Sequence, residues 1–212
     1  MAVSFIKGNR RVMFLSRYIV ALTGASGVVY GLQLITELLK REHEVHLVVS
    51  EPAALVLRQE MGWQQVSSWE DVIRDHLPPG KLLYYNNSDI AAPIASGSFI
   101  SDAMVIIPCT MSTLAAVAHG MSGSLIERAA DVMLKEQRSL ILVPRETPLS
   151  AVHLRNMLLL ADMGVSIVPA MPAFYHQPES INDLISFMVG KVLDIMQISH
   201  DIFRRYEGTV IE

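Results

Sequence analysis

The stretch YIVALTGASG, residues 18–27, decides the fold of this chain. Its first five residues are apolar and predict a short buried strand, and the small residues that follow predict a tight turn. Residues 28–40 then carry Leu32, Ile35 and Leu38 at helical spacing. A buried strand that turns at once into a helix is typical of the first unit of a parallel α/β sheet.

Working outward, short apolar runs alternate with helix-length segments to the end of the chain. Further strands are predicted at residues 45–49, 82–85, 103–107, 140–143 and 165–168. Helices are predicted after Ser50 and at residues 68–75, 125–135, 152–163 and 181–196. The pattern predicts a single α/β domain over residues 18–198, with a doubly wound, flavodoxin- or Rossmann-like parallel sheet and helices on both faces. Residues 1–17 are expected to be a disordered extension.

Composition narrows the function classes. The 212 residues are 51% hydrophobic, yet no apolar run reaches the roughly 18 residues that a membrane span needs. We therefore expect subunit interfaces and no membrane partner. The formal charge of -4 provides no basic surface for nucleic acid, and the single cysteine favours a reducing cytoplasm. The seven histidines form no zinc-binding pattern, so no metal is expected.

Ligands of doubly wound sheets bind at the carboxyl ends of the strands, which makes the loop at residues 23–27 a candidate anion site. Gly24, Gly27 and Gly31 do not have the spacing of the dinucleotide fingerprint. Glu51, after the second strand, could imitate the ribose-binding acid of such folds. A tight turn without a ligand explains the glycines equally well.

The third long strand leads into Pro-Cys-Thr-Met-Ser-Thr at residues 108–113. The hydroxyls there could hold a ligand or could only cap the next helix. Cys109 could be a nucleophile, but no histidine lies nearby in sequence, and a lone cysteine is more often buried and inert.

Two charged segments complete the candidates from the residues alone. Arg128, Asp131 and Lys135 share one helical stripe, which could be a cationic wall for phosphate or an ion-paired solvated face. Arg145 and Glu146 follow a strand between two prolines. Arg145 could hold a phosphate with two hydrogen bonds, and Glu146 could act as a general acid or base. A structural ion pair between them is the alternative.

Together these segments resemble the UbiX-type flavin prenyltransferases, from about residue 18 to residue 206. The matching motifs are T-G-A-S-G at 23–27, A-S-G-S at 95–98, L-I-E-R-A-A-D-V at 125–132, L-K-E at 134–136, L-V-P-R-E at 142–146, H-L-x-N-M at 153–157 and F-Y-H-Q-P at 174–178. Any one motif is weak, but their joint order is specific.

The resemblance implies a flavoprotein domain with three sets of site residues. FMN would be bound by Gly24, Ala25, Ser26, Ser50, Thr110, Met111, Ser112, Thr113 and Arg145. The prenyl phosphate would be bound by Ser96, Arg128, Lys135, Arg145, Tyr175 and Lys191, with residues 199–212 as a tail near the site. Ser26, Glu60, Lys135 and Glu146 would be catalytic, the first two and Glu146 in proton transfer.

The family uses dimethylallyl phosphate or pyrophosphate to prenylate reduced FMN, needs no metal and assembles as dodecamers. A UbiD-type decarboxylase receives the product, in ubiquinone synthesis or in phenolic acid metabolism. Two residues depart from the family pattern, because Lys191 and Tyr206 stand where Arg and Trp are frequent.

Three other functions are less well supported. Ser112 stands where flavin-dependent cysteine-peptide decarboxylases have Asn, which argues against that class. A non-catalytic flavin-binding scaffold would not need Lys135, Arg145, Glu146 and Tyr175 together. A nicotinamide-dependent reductase is disfavoured by the glycine spacing.

Overall fold

The computed structural model describes residues 16–65, 68–206 and 208. The first strand begins at Arg17, one residue before the predicted strand. The predicted disorder of the N-terminal extension falls almost entirely outside the described residues. In the described part, no helix is both long and apolar enough to cross a membrane.

Strands and helices alternate along the chain. The strands are β1 Arg17–Leu22, β2 Glu44–Val49, β3 Leu82–Asn86, β4 Ala103–Cys109, β5 Ser139–Pro144 and β6 Ser166–Ile167. The helices are α1 Val28–Lys40, α2 Glu51–Met61, α3 Trp69–His76, α4 Met111–Ala118, α5 Leu125–Lys135, α6 Ala151–Asp162 and α7 Ile181–Ile195, with a short 3-10 helix at Pro93–Ala95.

The strands form one parallel sheet in the order β3-β2-β1-β4-β5-β6. This is the doubly wound order, in which the connections reverse direction between β1 and β4. The predicted single α/β sheet is therefore confirmed. The reversal opens a crevice between the carboxyl ends of β1 and β4, where the loops at residues 23–27 and 108–113 lie.

Alternating strand residues build a separate apolar core on each face of the sheet. Val20 and Leu22 of β1 pack with α1, α2 and α7, whereas Ile19 and Ala21 of the same strand pack with α4, α5 and α6. Because both faces of the central strands are covered, β2 and β4 are buried along their whole length. This explains the continuous apolar runs in the sequence.

Serine and threonine begin most of the helices. Side-chain oxygens at the N-cap accept a hydrogen bond from the first turn of six helices, and these residues are Ser50, Ser68, Thr110, Ser124, Ser150 and Ser180. The structure differs from the sequence-based prediction mainly at β6, which has two residues instead of four. It also has the 3-10 helix at Pro93–Ala95, which was not predicted.

Candidate active site at the carboxyl edge of the sheet

Thr23 joins the two loops that border the crevice. Its buried hydroxyl donates to the carbonyl of Pro108 at 2.7 Å and accepts from the backbone N–H of Thr110 at 2.8 Å. The loop that follows β5 is attached to the end of β4, since the Arg145 N–H donates to the Cys109 carbonyl at 3.3 Å. Sequence analysis gave Thr23 no role, although a polar residue at the end of a buried strand is a usable signal.

The start of α1 is occupied by a carboxylate of the same chain. Glu60, at the end of α2, accepts from the single N–H of Gly27 with both carboxylate oxygens, at 2.9 and 3.1 Å, and from the N–H of Val28 at 3.2 Å. A negative charge is favourable there because it faces the positive end of the helix dipole. Glu60 therefore occupies the N–H groups of Gly27 and Val28 in this structure, and ligand binding by the rest of the loop at residues 23–27 stays a prediction.

The glycine at position 24 has a packing reason. A Cβ there would lie 2.4 Å from the Cβ of Pro52, so α2 can approach the loop only if residue 24 has no side chain. Ala25 is buried and Ser26 is exposed beside it. Close approach of α2 is a packing reason for Gly24, and its predicted contact with FMN stays a prediction. Ser26 is the exposed residue of this loop.

The start of α4 is arranged differently. Thr110 caps the helix, with its hydroxyl oxygen accepting from the Thr113 N–H at 3.1 Å and donating to the Thr113 hydroxyl at 2.9 Å. The N–H groups of Met111 and Ser112 belong to the first turn, for which a helix has no acceptor of its own. Ser112 is exposed and Met111 is half-buried. Hydroxyls, first-turn amides and a positive dipole end together suit a phosphate.

Cys109 is not part of this polar surface. It is fully buried, and burial raises the pKa of its thiol far above the usual range. A protonated thiol within the core is a poor nucleophile, so the structure supports the inert role.

Arg145 and Glu146 follow β5 and are both exposed. Among the described residues no ion pair joins them, and the Glu146 carboxylate instead accepts from the Thr147 N–H at 3.0 Å. Beside them lies a small cavity of about 160 Å³ whose walls include Leu149, Met157 and Met171. A cation and a carboxylate thus border an apolar recess, and the structural ion pair considered from the sequence is absent.

A larger cavity of about 600 Å³ lies over the ends of β2 and β3. Ser50 lines it, together with Arg58, Trp69 and Asn86. The Ser50 hydroxyl oxygen accepts from the Ala53 N–H at 3.2 Å as the N-cap of α2. Ser50 therefore shapes the β2 side of the edge and keeps its hydroxyl hydrogen available.

The charged stripe on α5 lies on one face of the sheet. Arg128 pairs with Asp131 at 2.9 Å and donates to the carbonyl of Ala95 at 3.1 Å, whereas Lys135 pairs with Glu136 at 3.4 Å. Asp131 thus orients Arg128 but not Lys135. Ser96, exposed and bonded to the Ser98 hydroxyl at 2.8 Å, lies in the loop that Arg128 holds.

The remaining two predicted residues lie on the opposite face. Lys191 is on α7, which packs on α1, and Tyr175 contacts Phe187 of the same helix with ring centroids 5.8 Å apart. Helix α5, in contrast, packs in the core shared with α4 and α6. Within one chain, the structure therefore does not gather Arg128 and Lys135 with Tyr175 and Lys191.

The donor set at the crevice fits FMN. The α4 start and Arg145 provide neutral and cationic donors for a phosphate monoester, and the loop of Ala25 and Ser26 borders the space between β1 and β4. Among the described residues no group of three His, Cys, Asp or Glu side chains could hold a metal ion.

The chain is similar to known proteins over most of its length. The flavoprotein family model matches residues 10–205, which places the chain in the class of α/β proteins that bind flavin. A flavin prenyltransferase UbiX from Alkalihalophilus pseudofirmus is 52% identical over 189 residues, covering 88% of this chain and 94% of the relative.

Two solved structures are similar throughout. AnUbiX (PadA1), crystallised with FMN and dimethylallyl pyrophosphate, has a TM-score of 0.83 and 42% identity over 92% of this chain and 98% of its own. A dodecameric FMN-dependent UbiX-like decarboxylase from Escherichia coli O157:H7 has a TM-score of 0.81 and 43% identity over 91% of this chain and all of its own. The chain belongs to the UbiX-type flavin prenyltransferase family.

Proposed function

We propose that this protein is a flavin prenyltransferase that transfers a dimethylallyl group to N5 and C6 of reduced FMN. The observation that carries the proposal is the edge at β4 and β5, where the hydroxyl-rich start of α4 lies beside Arg145, Glu146 and an apolar cavity of about 160 Å³. A scaffold that only bound flavin would need the first of these features and not the others. The relatives named flavin prenyltransferase support the same activity.

The FMN phosphate would lie at the start of α4, held by the first-turn N–H groups and by the hydroxyls of Thr110, Ser112 and Thr113. Arg145 adds a fixed positive charge at the adjoining strand end. Gly24, Ala25, Ser26 and Ser50 would border the rest of the flavin from β1 and β2. This arrangement leaves Ser26 and the carboxylate of Glu60 on the β1 side of the crevice.

The prenyl donor would be dimethylallyl phosphate or pyrophosphate. Its phosphate would be bound by Ser96, Arg128, Lys135, Arg145, Tyr175 and Lys191. Because two of these cations lie on α5 and another lies on α7, across the sheet, a complete donor site requires more than one copy of the chain. The exposed apolar side chains of α6, among them Val152 and Leu158 at 59% and 62% exposure, offer a surface for such contacts.

When bound, reduced FMN supplies the nucleophilic nitrogen and the ring carbon to which the prenyl group becomes attached. The cations would neutralise the phosphate as its bond to the allylic carbon breaks. The apolar walls of the cavity would exclude water from the electron-deficient prenyl group. Glu146 would take the proton that C6 loses, and Ser26 with Glu60 would carry protons on the β1 side.

Mass spectrometry of the flavin tests the proposal directly. The purified protein is incubated with reduced FMN and dimethylallyl phosphate, and the flavin is extracted. We expect a flavin heavier by one five-carbon prenyl unit, which must be absent when the donor is omitted or the FMN is oxidised. Tight FMN binding without any adduct, with either donor, would contradict the proposal and favour a scaffold.

Assembly is tested separately by light scattering. We expect a homododecamer, because the similar E. coli protein is dodecameric and the donor site here is divided between the two faces of one chain. We also expect the protein to be cytoplasmic. An active monomer at micromolar concentration would overturn the proposed assembly. The product would be received by a UbiD-type decarboxylase, which is detected by activation of such an enzyme in its apo form.

A further inference from the structure

Asp194, in the last turn of α7, is contacted by three basic side chains. Arg205 donates to its two carboxylate oxygens at 2.7 and 3.2 Å, and His200 Nε2 lies 3.0 Å from Oδ1. The ammonium of Lys191, one turn earlier on the same helix, lies 3.9 Å from Oδ2. The hydrogen bonds from Arg205, foremost among several causes, lower the pKa of Asp194, which therefore stays ionised at neutral pH.

The segment that contains His200 and Arg205 lies flat on α7. A Cβ on Gly190 would be 2.3 Å from the ring of Phe203 and 2.9 Å from His200, so this position must be glycine for the segment to pack. Phe203 also contacts Phe187, with ring centroids 5.2 Å apart. We call residues 199–206 the C-terminal strap.

The strap ends beside a residue of the proposed donor site. The ring of Tyr206 meets that of Tyr175 edge to face, with centroids 5.6 Å apart. Asp194 is therefore linked to Tyr175 through Arg205 and Tyr206, and to the donor cation Lys191 directly. These two residues approach the prenyl phosphate from the same face of the sheet.

The contact between Lys191 and Asp194 is more important because residue 191 is a lysine. An ammonium on a flexible stem presents a single point of charge, without the rigid fork that an arginine would align on a phosphate. A partly buried carboxylate one helical turn away limits where the ammonium can lie, and the strap limits where Tyr175 can lie.

We propose that Asp194 is a positioning residue for the prenyl donor, which sets donor affinity by orienting Lys191 and by docking the strap against Tyr175. It does not contact the donor itself. The inference rests on the proposed function and adds to it the residue that organises the α7 side of the donor site. The alternative is a staple that stabilises the C-terminus and has no effect on substrate.

The test uses the full-length protein loaded with oxidised FMN, so that dimethylallyl phosphate binds without turnover. Calorimetry gives the donor Kd for wild type, Asp194→Asn and Asp194→Glu. We expect Asp194→Asn to raise the donor Kd about tenfold, the scale of one weakened charge contact, with FMN affinity unchanged. Asp194→Glu keeps the charge and should recover part of the loss.

Glu70→Gln is the matched control, because Glu70 forms a comparable arginine pair with Arg74 on α3, at 2.8 Å. It should leave the donor Kd unchanged. In a Lys191→Gln background, Asp194→Asn should raise the donor Kd by less than about threefold further, since the two residues act through one contact.

The outcomes separate the two claims. A wild-type donor Kd in folded Asp194→Asn, or an equal rise in Glu70→Gln, overturns the positioning role even if the wild type makes the adduct. Absence of any adduct with the wild type and reduced FMN would overturn the proposed function, whatever the Asp194 variants bind.

Discussion

Two helices start side by side at the carboxyl edge of the sheet, and they are used differently. The start of α1 follows T-G-A-S-G and is closed by Glu60, whose carboxylate binds the N–H groups of Gly27 and Val28. The start of α4 is capped by its own Thr110, and its first turn includes the half-buried Met111 and the exposed Ser112. The glycine-rich loop is thus held by α2 of the same chain, and we propose the hydroxyl-rich loop as the phosphate site.

This difference shows that small residues after a strand do not by themselves indicate a phosphate site. Gly24 is required by Pro52 on α2, and α2 also provides the carboxylate that neutralises the α1 dipole. A helix start that is already neutralised has little left to offer an anion. Substitutions on the α4 side of the edge should therefore alter activity and FMN binding, whereas those on the α1 side should mainly alter stability.

Glu146→Gln, on the α4 side of the edge, should slow adduct formation by about 100-fold, the usual scale for losing a general acid or base. The melting temperature and FMN affinity should stay near wild type, because Glu146 is exposed and has no ion pair with Arg145. Single-turnover kinetics and thermal melting measure both. A near-normal rate would remove Glu146 from the catalytic residues.

Arg145→Gln should weaken FMN binding by about 10- to 100-fold, since a hydrogen bond to a charged group contributes about 1.5–3 kcal/mol. Arg145→Lys keeps the charge and loses the forked pair of N–H donors, so its FMN affinity should lie between those of wild type and Arg145→Gln. Fluorescence titration with FMN measures all three proteins. Equal affinity of Arg145→Gln and wild type would place the phosphate elsewhere.

Gly24→Ala, on the α1 side, should destabilise the fold by about 1–3 kcal/mol, because its Cβ would overlap Pro52. For a chain of this size that lowers the melting temperature by roughly 2–4 °C per kcal/mol. Gly123→Ala is the control, since its Cβ would meet only the Glu127 carboxylate at 3.4 Å. An unchanged melting temperature of Gly24→Ala would show that α2 can move away.

Glu60→Gln should lower the free energy of unfolding by less than Gly24→Ala does, about 0.5–1 kcal/mol, because it removes the charge at the α1 start but retains an oxygen acceptor. FMN affinity should change by less than about threefold, which corresponds to well under 1 kcal/mol. Chemical denaturation and FMN titration measure the two quantities. Stability equal to that of wild type would mean that the charge at this helix start is unimportant.

Much of the fold could be predicted from the sequence because each central strand is buried on both faces and so appears as a continuous apolar run. The hydroxyls of Thr110 and Thr113 and the strand-end position of Arg145 also indicated a ligand site. The Glu60 contact could not be predicted, because it joins the end of α2 to the start of α1 over 33 residues. The separation of Lys135 from Lys191 could not be predicted without the sheet topology, because the topology decides which face of the sheet each helix covers.

The central claim is that the α4 start, not the α1 start, binds the FMN phosphate. Titration with FMN and with riboflavin, which lacks the phosphate, tests it most directly in wild type, Ser112→Asp and Glu60→Gln. We predict that Ser112→Asp weakens FMN binding by about tenfold or more through charge repulsion and leaves riboflavin binding unchanged. Glu60→Gln should leave the ratio of the two affinities as in wild type. A ratio that changes in Glu60→Gln and stays constant in Ser112→Asp would contradict the account.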